Sequence, residues 1–230
     1  MRLRVSALAA FLAAGLSAAP RFSFHVLGNE AGGWGDLLSS IGMTSGSPAA
    51  AGVFVAPQGT DAAVLGTMGQ WTARVEQGAI LVLEGESPLA AAFGFRPSAE
   101  PHLMVQSVED LRMPALRIIW EKTLDLPVFQ IPSSARVFAR ERWRKAPLMA
   151  GYRSGAGAVL WVAAPPGPHG YERFPYIPQA LTDLGLEPPF RSARLWAFFD
   201  SAYRTRADPD RKSTRLNSSH HTTSRMPSSA

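Results

Sequence analysis

The chain of 230 residues contains no cysteine. This absence excludes disulfide bonds, thiolate metal sites and a cysteine nucleophile, so the fold must rest on its apolar core. Long apolar runs are also scarce. The apolar stretch Val5 to Leu16 is shorter than the roughly twenty residues that span a bilayer. We therefore expect no membrane span once this leader is removed.

Residues 1–19 have the parts of a secretory signal peptide. Arg2 and Arg4 precede the apolar stretch, and the small residues Ser17, Ala18 and Ala19 follow it. The pattern predicts that the protein is secreted or periplasmic.

The C-terminal residues 210–230 read as translated sequencing adapter. Asp210 to His220 matches one frame of a common short-read adapter, and Ser224 to Ala230 matches its continuation past a barcode. We therefore expect a metagenomic read fragment whose genuine residues end near Pro209. This polar tail is predicted to be disordered, because it contains too little apolar surface to form a packed core.

An excess of positive charge is absent from the remainder. The chain carries 23 Lys and Arg against 18 Asp and Glu, a net charge of +5. The tail holds four of these basic residues and one acidic residue, and the leader holds Arg2 and Arg4. The remaining charges balance, so the composition predicts no nucleic-acid partner.

The first half of the mature chain alternates strand and helix patterns. Strands are predicted over Phe22 to Leu27, Val53 to Ala56 and Ala79 to Leu83, and helices over Asp36 to Ile41, from Thr60 or Asp61 to Gly78, and after Ser87. In the second of these helices Val64, Met68, Trp71 and Val75 share one apolar face. This order predicts an α/β fold with a doubly wound parallel sheet.

The second half has a different pattern. Short strand-like runs cover Arg117 to Glu121, Val128 to Ile131 and Ala135 to Ala139, which predicts an antiparallel extension. A strand pair turned by glycine leads into Val159 to Ala163. A Pro- and Gly-rich loop follows over Pro165 to Arg173, and a helix over Pro175 to Leu184 closes the unit.

The strings GVFVAP, RVEQGAILVLEGES, LAAAFGF and GAGAVLWVAAPPG together resemble the class I glutamine amidotransferase-like domain. The resemblance is narrower to non-catalytic versions attached to secreted carbohydrate-active proteins, such as the trimerisation domain of some β-galactosidases. It implies a flavodoxin-like three-layer sandwich over 20–190, with a mainly parallel sheet and some antiparallel strands in the second half. It also implies that Gly78 ends a helix before the central strand and that Gly155 and Gly157 turn the chain into a late strand.

The chain departs from the catalytic members of that family. Those members use a cysteine with a His-x-Glu pair, whereas this chain has no cysteine and places two residues between His169 and Glu172. Glutaminase activity is therefore excluded, and no cofactor or metal is expected.

A serine hydrolase is one alternative. Ser87 would be the nucleophile and His169 the base, with Glu172 or Glu84 orienting the imidazole. However, the local string lacks the G-x-S-x-G elbow, and Pro88 removes the backbone N–H that such elbows use as an oxyanion donor. The pattern favours Ser87 as a helix N-cap and His169 as a loop residue.

A carbohydrate-binding module is the other alternative. Tyr171, Phe174 and Tyr176 would offer aromatic faces to a sugar, although packing against the core is the default expectation. A basic cluster of Arg136, Arg140, Arg142, Arg144 and Lys145 surrounds Trp143. It could bind an anionic polymer, but the interleaved Glu141 favours a solvated face.

Residues 191–209 are predicted to begin a second, truncated domain. Ala193 to Phe199 resembles the first strand of a (β/α)8 glycoside-hydrolase barrel, and Asp200 then stands where barrel chemistry occurs, or serves as a turn residue. The whole pattern predicts a non-catalytic accessory or assembly domain of a secreted glycoside-hydrolase-like protein. Its partner would be a carbohydrate or another subunit, and the parent protein would be the enzyme.

Overall fold

The computed structural model describes residues 22–28 and 33–187. The predicted signal peptide, the Ala193 to Phe199 run, Asp200 and the tail lie outside these residues. In chain order the described elements are β1 (Ser23–Val26), α1 (Trp34–Ser40), β2 (Thr44–Ser45), β3 (Val53–Ala56), α2 (Ala62–Leu65), α3 (Met68–Glu76), β4 (Ile80–Glu84), α4 (Pro88–Ala92), β5 (Arg96–Pro97), β6 (Leu103–Asp110), β7 (Ile118–Leu126), β8 (Phe129–Gln130), β9 (Arg136–Glu141), β10 (Pro147–Ser154), β11 (Gly157–Val162) and α5 (Ile177–Asp183).

Nine strands form one mixed sheet in the order β2-β1-β3-β4-β11-β10-β9-β6-β7. Neighbours from β2 to β11 run parallel, and neighbours from β11 to β7 run antiparallel. The predicted α/β class is confirmed, with parallel strands first and antiparallel strands later. The expectation of a mainly parallel sheet understated the antiparallel part, which supplies half of the strand pairings.

One face of the sheet is covered by α3 and by the segment after α4. The Phe54 ring on β3 meets the Trp71 ring of α3 edge-on, with their centroids 5.1 Å apart. On β11 the Trp161 ring stacks on Phe95 at 5.4 Å. These aromatic pairs bury large apolar area between the sheet and this helical layer.

The opposite face is covered by α1 and α5. Successive residues of a strand point to opposite faces, so Glu84 on β4 points away from the Trp161 side, since Trp161 pairs with Leu83. Trp34 of α1 reaches Glu84 on this face. The segment that ends α5 packs over β10, because a Cβ added to Gly151 would lie 2.9 Å from Leu184 Cδ1.

The length and the buried face predicted for the second helix are both wrong. The helix predicted from Thr60 or Asp61 to Gly78 is two helices, α2 and α3, because Gly66 has a φ of 66° and Thr67 begins a new helix. The Gln70 side chain accepts a hydrogen bond from the Thr67 amide at 3.3 Å. As a result Val64 and Met68 are not on the buried face but are 48% and 47% exposed.

The strand β6 was missed by the sequence reasoning, and β7 extends beyond its predicted end. The β6 segment alternates apolar positions with Gln106 and Glu109, and β7 continues through Lys122 and Asp125. This alternation is typical of antiparallel strands that have one solvated face. The predicted turns at Gly78 and at Gly155 and the ending of α5 before Gly185 are confirmed.

Two glycine substitutions test this packing. A Cβ at Gly157 would lie closer than 3.0 Å to the backbone oxygens of Ala79 and Val75, whereas a Cβ at Gly69 meets nothing within 4 Å. We expect Gly157→Ala to lower the free energy of unfolding by about 1 to 3 kcal/mol, because backbone must move. Gly69→Ala in α3 should raise it by up to about 1 kcal/mol. Urea unfolding measures both, and equal effects of the two variants would contradict the described approach of α3 to β11.

Candidate functional site

The carboxyl ends of the parallel strands share one edge of the sheet, where ligands of open α/β sheets usually bind. The loops after β3, β4 and β11 meet there. Glu84 is the last residue of β4 and lies at the centre of this edge. It follows a run of four buried apolar residues, so the strand itself carries a charged group into the interior.

Both oxygens of the Glu84 carboxylate have a donor. The Trp34 indole N–H donates to Oε2 at 2.7 Å, and the backbone N–H of Gln58 donates to Oε1 at 3.2 Å. Glu84 is only 5% exposed, and Trp34 is fully buried. The carboxylate therefore joins α1, the loop after β3 and the end of β4.

Burial raises the pKa of the Glu84 carboxyl above its ordinary value. The hydrogen bonds from Trp34 and Gln58 and the positive charge of Arg173 act in the opposite direction and favour the ionised form. The desolvation of the carboxylate is the larger effect. Such a buried acid could hold or release a proton, but its two donors and its burial leave it no access to a substrate.

The loop from Ala163 to Tyr176 closes this edge of the sheet. Its Arg173 donates to the carbonyl of Pro165 at 2.8 Å and lies over the Trp120 ring. Gly33 and Gly170 have positive φ, and a Cβ at Gly170 would lie 2.7 Å from both the Gly33 oxygen and Leu37 Cβ. Only glycine allows this approach, so the loop packs directly on the start of α1.

Glu172 holds the tip of the same loop. Its Oε1 accepts from the His169 amide at 2.9 Å, and its Oε2 accepts from the Tyr171 amide at 3.1 Å. Partial burial opposes ionisation, but these backbone hydrogen bonds outweigh it and hold the pKa of the Glu172 carboxyl below its ordinary value. The carboxylate thus binds backbone amides, while the His169 side chain is exposed.

Ser87 is the N-cap of α4. Its hydroxyl accepts the Ala90 amide at 3.0 Å, the residue is 8% exposed, and Pro88 follows at the first helical position. The N-cap prediction is confirmed. Among the described residues, no hydrogen bond joins the Ser87 hydroxyl to the His169 imidazole, and none joins that imidazole to a carboxylate. His169 bonds Glu172 only through its backbone amide.

Of the proposed hydrolase residues, the structure therefore brings together only His169 and Glu172, and through the backbone rather than the imidazole. Glu84 contacts Trp34 and Gln58 instead of His169. Asp200 lies outside the described residues. Ser87, Glu172 and Glu84 therefore have three separate structural roles: a helix N-cap, an acceptor for loop amides and an acceptor for the Trp34 and Gln58 donors.

The aromatic residues of the late loop do not form an exposed sugar platform. Phe174 and Tyr176 are 1% and 4% exposed, and Phe174 meets the Trp120 ring edge-on at 5.5 Å. Burial raises the pKa of the Tyr171 hydroxyl to about 12. Core packing, the default expectation for these aromatics, describes them better than carbohydrate stacking.

Trp34 was missed by the sequence reasoning. It stands between Gly33 and Gly35, and Glu84 ends an otherwise apolar strand. A lone tryptophan in a glycine-rich turn and a lone acid at a strand end are the signals that could have paired them. Their separation of 50 residues hides the contact from local patterns.

Metal and membrane features were searched within 22–28 and 33–187. In this part of the chain no cluster of three or more His, Cys, Asp or Glu side chains has the arrangement of a metal site. No helix there has the length and apolar character to cross a membrane.

Comparisons with known proteins found distant structural similarity and no sequence family. No family model matches the chain, and no curated protein matches it. Its similarity to an exo-β-1,4-mannosidase of Opitutaceae bacterium strain TAV5 has 14% identity and a TM-score of 0.43, covering 70% of this chain and 34% of that one. A β-galactosidase from Bacillus circulans sp. alkalophilus has 13% identity and a TM-score of 0.46, with 75% and 32% covered.

A cytoplasmic protein of Salmonella typhimurium is similar over nearly its whole length. The identity is 11% and the TM-score 0.46, with 72% of this chain and 99% of that chain covered. The chain thus spans about a third of the length of the glycoside hydrolases to which it is similar.

The pH dependence of stability tests the description of Glu84. Because its pKa is raised in the folded chain above the ordinary 4.5, the folded state binds the proton more tightly than the unfolded state. Stability should therefore fall as pH rises from about 4.5 toward the raised pKa. In Glu84→Gln this loss should disappear and leave a constant offset, because the amide keeps one acceptor oxygen and one of the two donors, the Trp34 indole or the Gln58 amide, then faces an NH2 group.

Urea unfolding at a series of pH values measures the difference between wild type and Glu84→Gln. The exposed neighbour Glu86 provides the matched control Glu86→Gln, which should follow the wild-type curve. A wild-type and Glu84→Gln difference that is the same at every pH would contradict the raised pKa.

Proposed function

We propose that this chain is a non-catalytic, flavodoxin-like accessory domain of an exported glycoside-hydrolase-like protein. Its role is to support or assemble the parent protein rather than to turn over a substrate. The domain corresponds to 20–190, and residues 191–209 begin the catalytic partner. Export rests on the signal-like pattern of residues 1–19.

The strand order supports the flavodoxin-like class. Numbered in chain order, the five parallel strands run 2-1-3-4-5 across the sheet, with β11 as the fifth. This is the order of flavodoxin-like doubly wound sheets. Helices cover both faces, as a three-layer sandwich requires. The antiparallel strands β10, β9, β6 and β7 extend the sheet beyond the fifth strand.

The engagement of Ser87 is the observation that carries the non-catalytic role. Its hydroxyl already accepts the Ala90 amide, and Pro88 offers no N–H to stabilise an oxyanion. An active serine needs a free hydroxyl next to a base, and here the hydroxyl serves the helix. Glu172 and Glu84 are likewise held by internal donors.

Turnover assays on nitrophenyl esters and a panel of nitrophenyl glycosides test this proposal. We expect no turnover above buffer by the wild-type chain. Ser87→Ala should lose about 1 kcal/mol of stability because the cap is lost, whereas Ser87→Asp should keep the cap and the thermal midpoint. Ser87→Asp is the sharper variant, because it removes the hydroxyl nucleophile without removing the N-cap acceptor.

Ester turnover that Ser87→Asp abolishes at an unchanged thermal midpoint would overturn the accessory role in favour of the serine hydrolase. Glycoside turnover that survives in Ser87→Asp would also overturn the accessory role, since a residue other than Ser87 would then be catalytic.

A further inference from the structure

The turn between β9 and β10 is built around a buried acid. Glu141 is 3% exposed, and its Oε2 accepts the amide of Trp143 at 2.8 Å and also the amide of Arg144. Lys145 has a φ of 60°, a left-handed conformation that is uncommon outside glycine. The hairpin tip is therefore held in one conformation by an internal carboxylate.

This fixed tip presents an exposed tryptophan. The Trp143 residue is 76% exposed, the largest exposure among the large apolar residues of the described chain. The four other described tryptophans are buried: Trp34, Trp71, Trp120 and Trp161. A large aromatic side chain on a rigid turn binds a partner at low cost in conformational entropy.

Unpaired positive charge surrounds this tryptophan. Lys145 and Arg140 both pair with Glu109, at 3.1 and 2.7 Å. Within 22–28 and 33–187, Arg142 and Arg144 form no ion pair, although the Arg142 guanidinium lies 5.4 Å from the centre of the Trp143 ring. The tip therefore offers two guanidinium groups to an external carboxylate.

Exposed apolar side chains continue from the tip along the sheet. The Arg142 amide donates to the Ser107 carbonyl, and Ser107 pairs with Ile119 on β7. Cross-strand partners share a face, so Ile119, which is 65% exposed, lies in the same row as Arg142. Met104 on β6 is 64% exposed.

A cavity of about 300 Å³ adjoins the tip. Arg144 is part of its wall, with His102 and Glu100 as the other polar residues. His102 Nδ1 lies 3.5 Å from Asp125 Oδ2, and Glu100 is the one carboxylate residue of the wall. The other residues of the wall are Pro101, Leu103, Val128, Phe129, Ala146 and Pro147.

We propose that the hairpin tip and this cavity bind an acidic, leucine-rich protein segment of a partner domain or subunit. This proposal rests on the proposed function as an assembly domain. A carboxylate of the partner pairs with Arg144 at the cavity, and its leucine side chains pack on the exposed Ile119 and Met104. Trp143 packs against the same segment. This tip surface consists of the cavity and the residues Met104, Ile119, Arg142, Trp143 and Arg144.

The composition of the tip surface favours a protein over an anionic glycan. Tryptophan, methionine and arginine are the residue types enriched in protein interfaces, and tryptophan and arginine dominate their binding energy. The Arg142 guanidinium lies over the Trp143 ring, which is the surface that a sugar would stack on.

Fluorescence anisotropy of a labelled peptide in which glutamate and leucine alternate tests the proposal with the full chain. We expect saturable binding that weakens at high salt, and no binding of the matched peptide with glutamine in place of glutamate. Trp143→Ala and Arg144→Ala should each weaken binding at least about tenfold. Arg153→Ala is the matched control, since Arg153 is exposed at the far end of β10, and should bind as wild type.

Thermal midpoints of all three variants should equal the wild-type value, because the substituted side chains are exposed. The proposal is overturned by equal binding of the two peptides, by equal weakening in Arg153→Ala, or by binding of an oligogalacturonate instead of the peptide. Absence of peptide binding overturns the tip surface alone. Turnover abolished in Ser87→Asp overturns the accessory role whatever the peptide does.

Discussion

One buried carboxylate organises the edge of the sheet on which any active site of this fold would lie. Glu84 ends a strand of four buried apolar residues and accepts hydrogen bonds from the Trp34 indole and the Gln58 amide. A buried acid without donors would cost far more than its packing returns, so these partners must be in place. The carboxylate thereby ties α1 and the loop after β3 to the end of β4.

The closure of this edge explains why residues that look catalytic are not arranged for catalysis. The late loop reaches α1 through the glycine contact of Gly33 with Gly170, and Glu172 stabilises that loop through backbone amides. Ser87 begins α4 on the next turn of the chain. Each polar group satisfies a backbone donor of its own region. The three most exposed large apolar side chains of the described residues, Trp143, Ile119 and Met104, lie elsewhere, on the antiparallel extension.

Local chemistry was readable from the sequence, and distant pairing was not. The strand Val53 to Ala56, the cap at Ser87 and the turn at Gly155 carry unambiguous local signals, and all three are confirmed. The break at Gly66 was missed because the apolar spacing continued across it, so periodicity outweighed the positive φ of one glycine. β6 was missed because its solvated face is polar. The Trp34 contact joins residues far apart in sequence. The solvated face expected around Trp143 agrees with its exposure, but the cavity beside it is formed by residues from separate strands and could not be predicted from local patterns.

A double-mutant cycle on Trp34 and Glu84 tests the organising role of the carboxylate most directly. Trp34→Phe removes the donor, Glu84→Leu removes the acceptor, and urea unfolding of both variants and of the double variant gives their coupling. The account predicts a coupling of about 1.5 to 3 kcal/mol, as expected for a hydrogen bond to a charged group, with the double variant more stable than the sum of the single losses implies. Losses that add to within about 0.5 kcal/mol would contradict it.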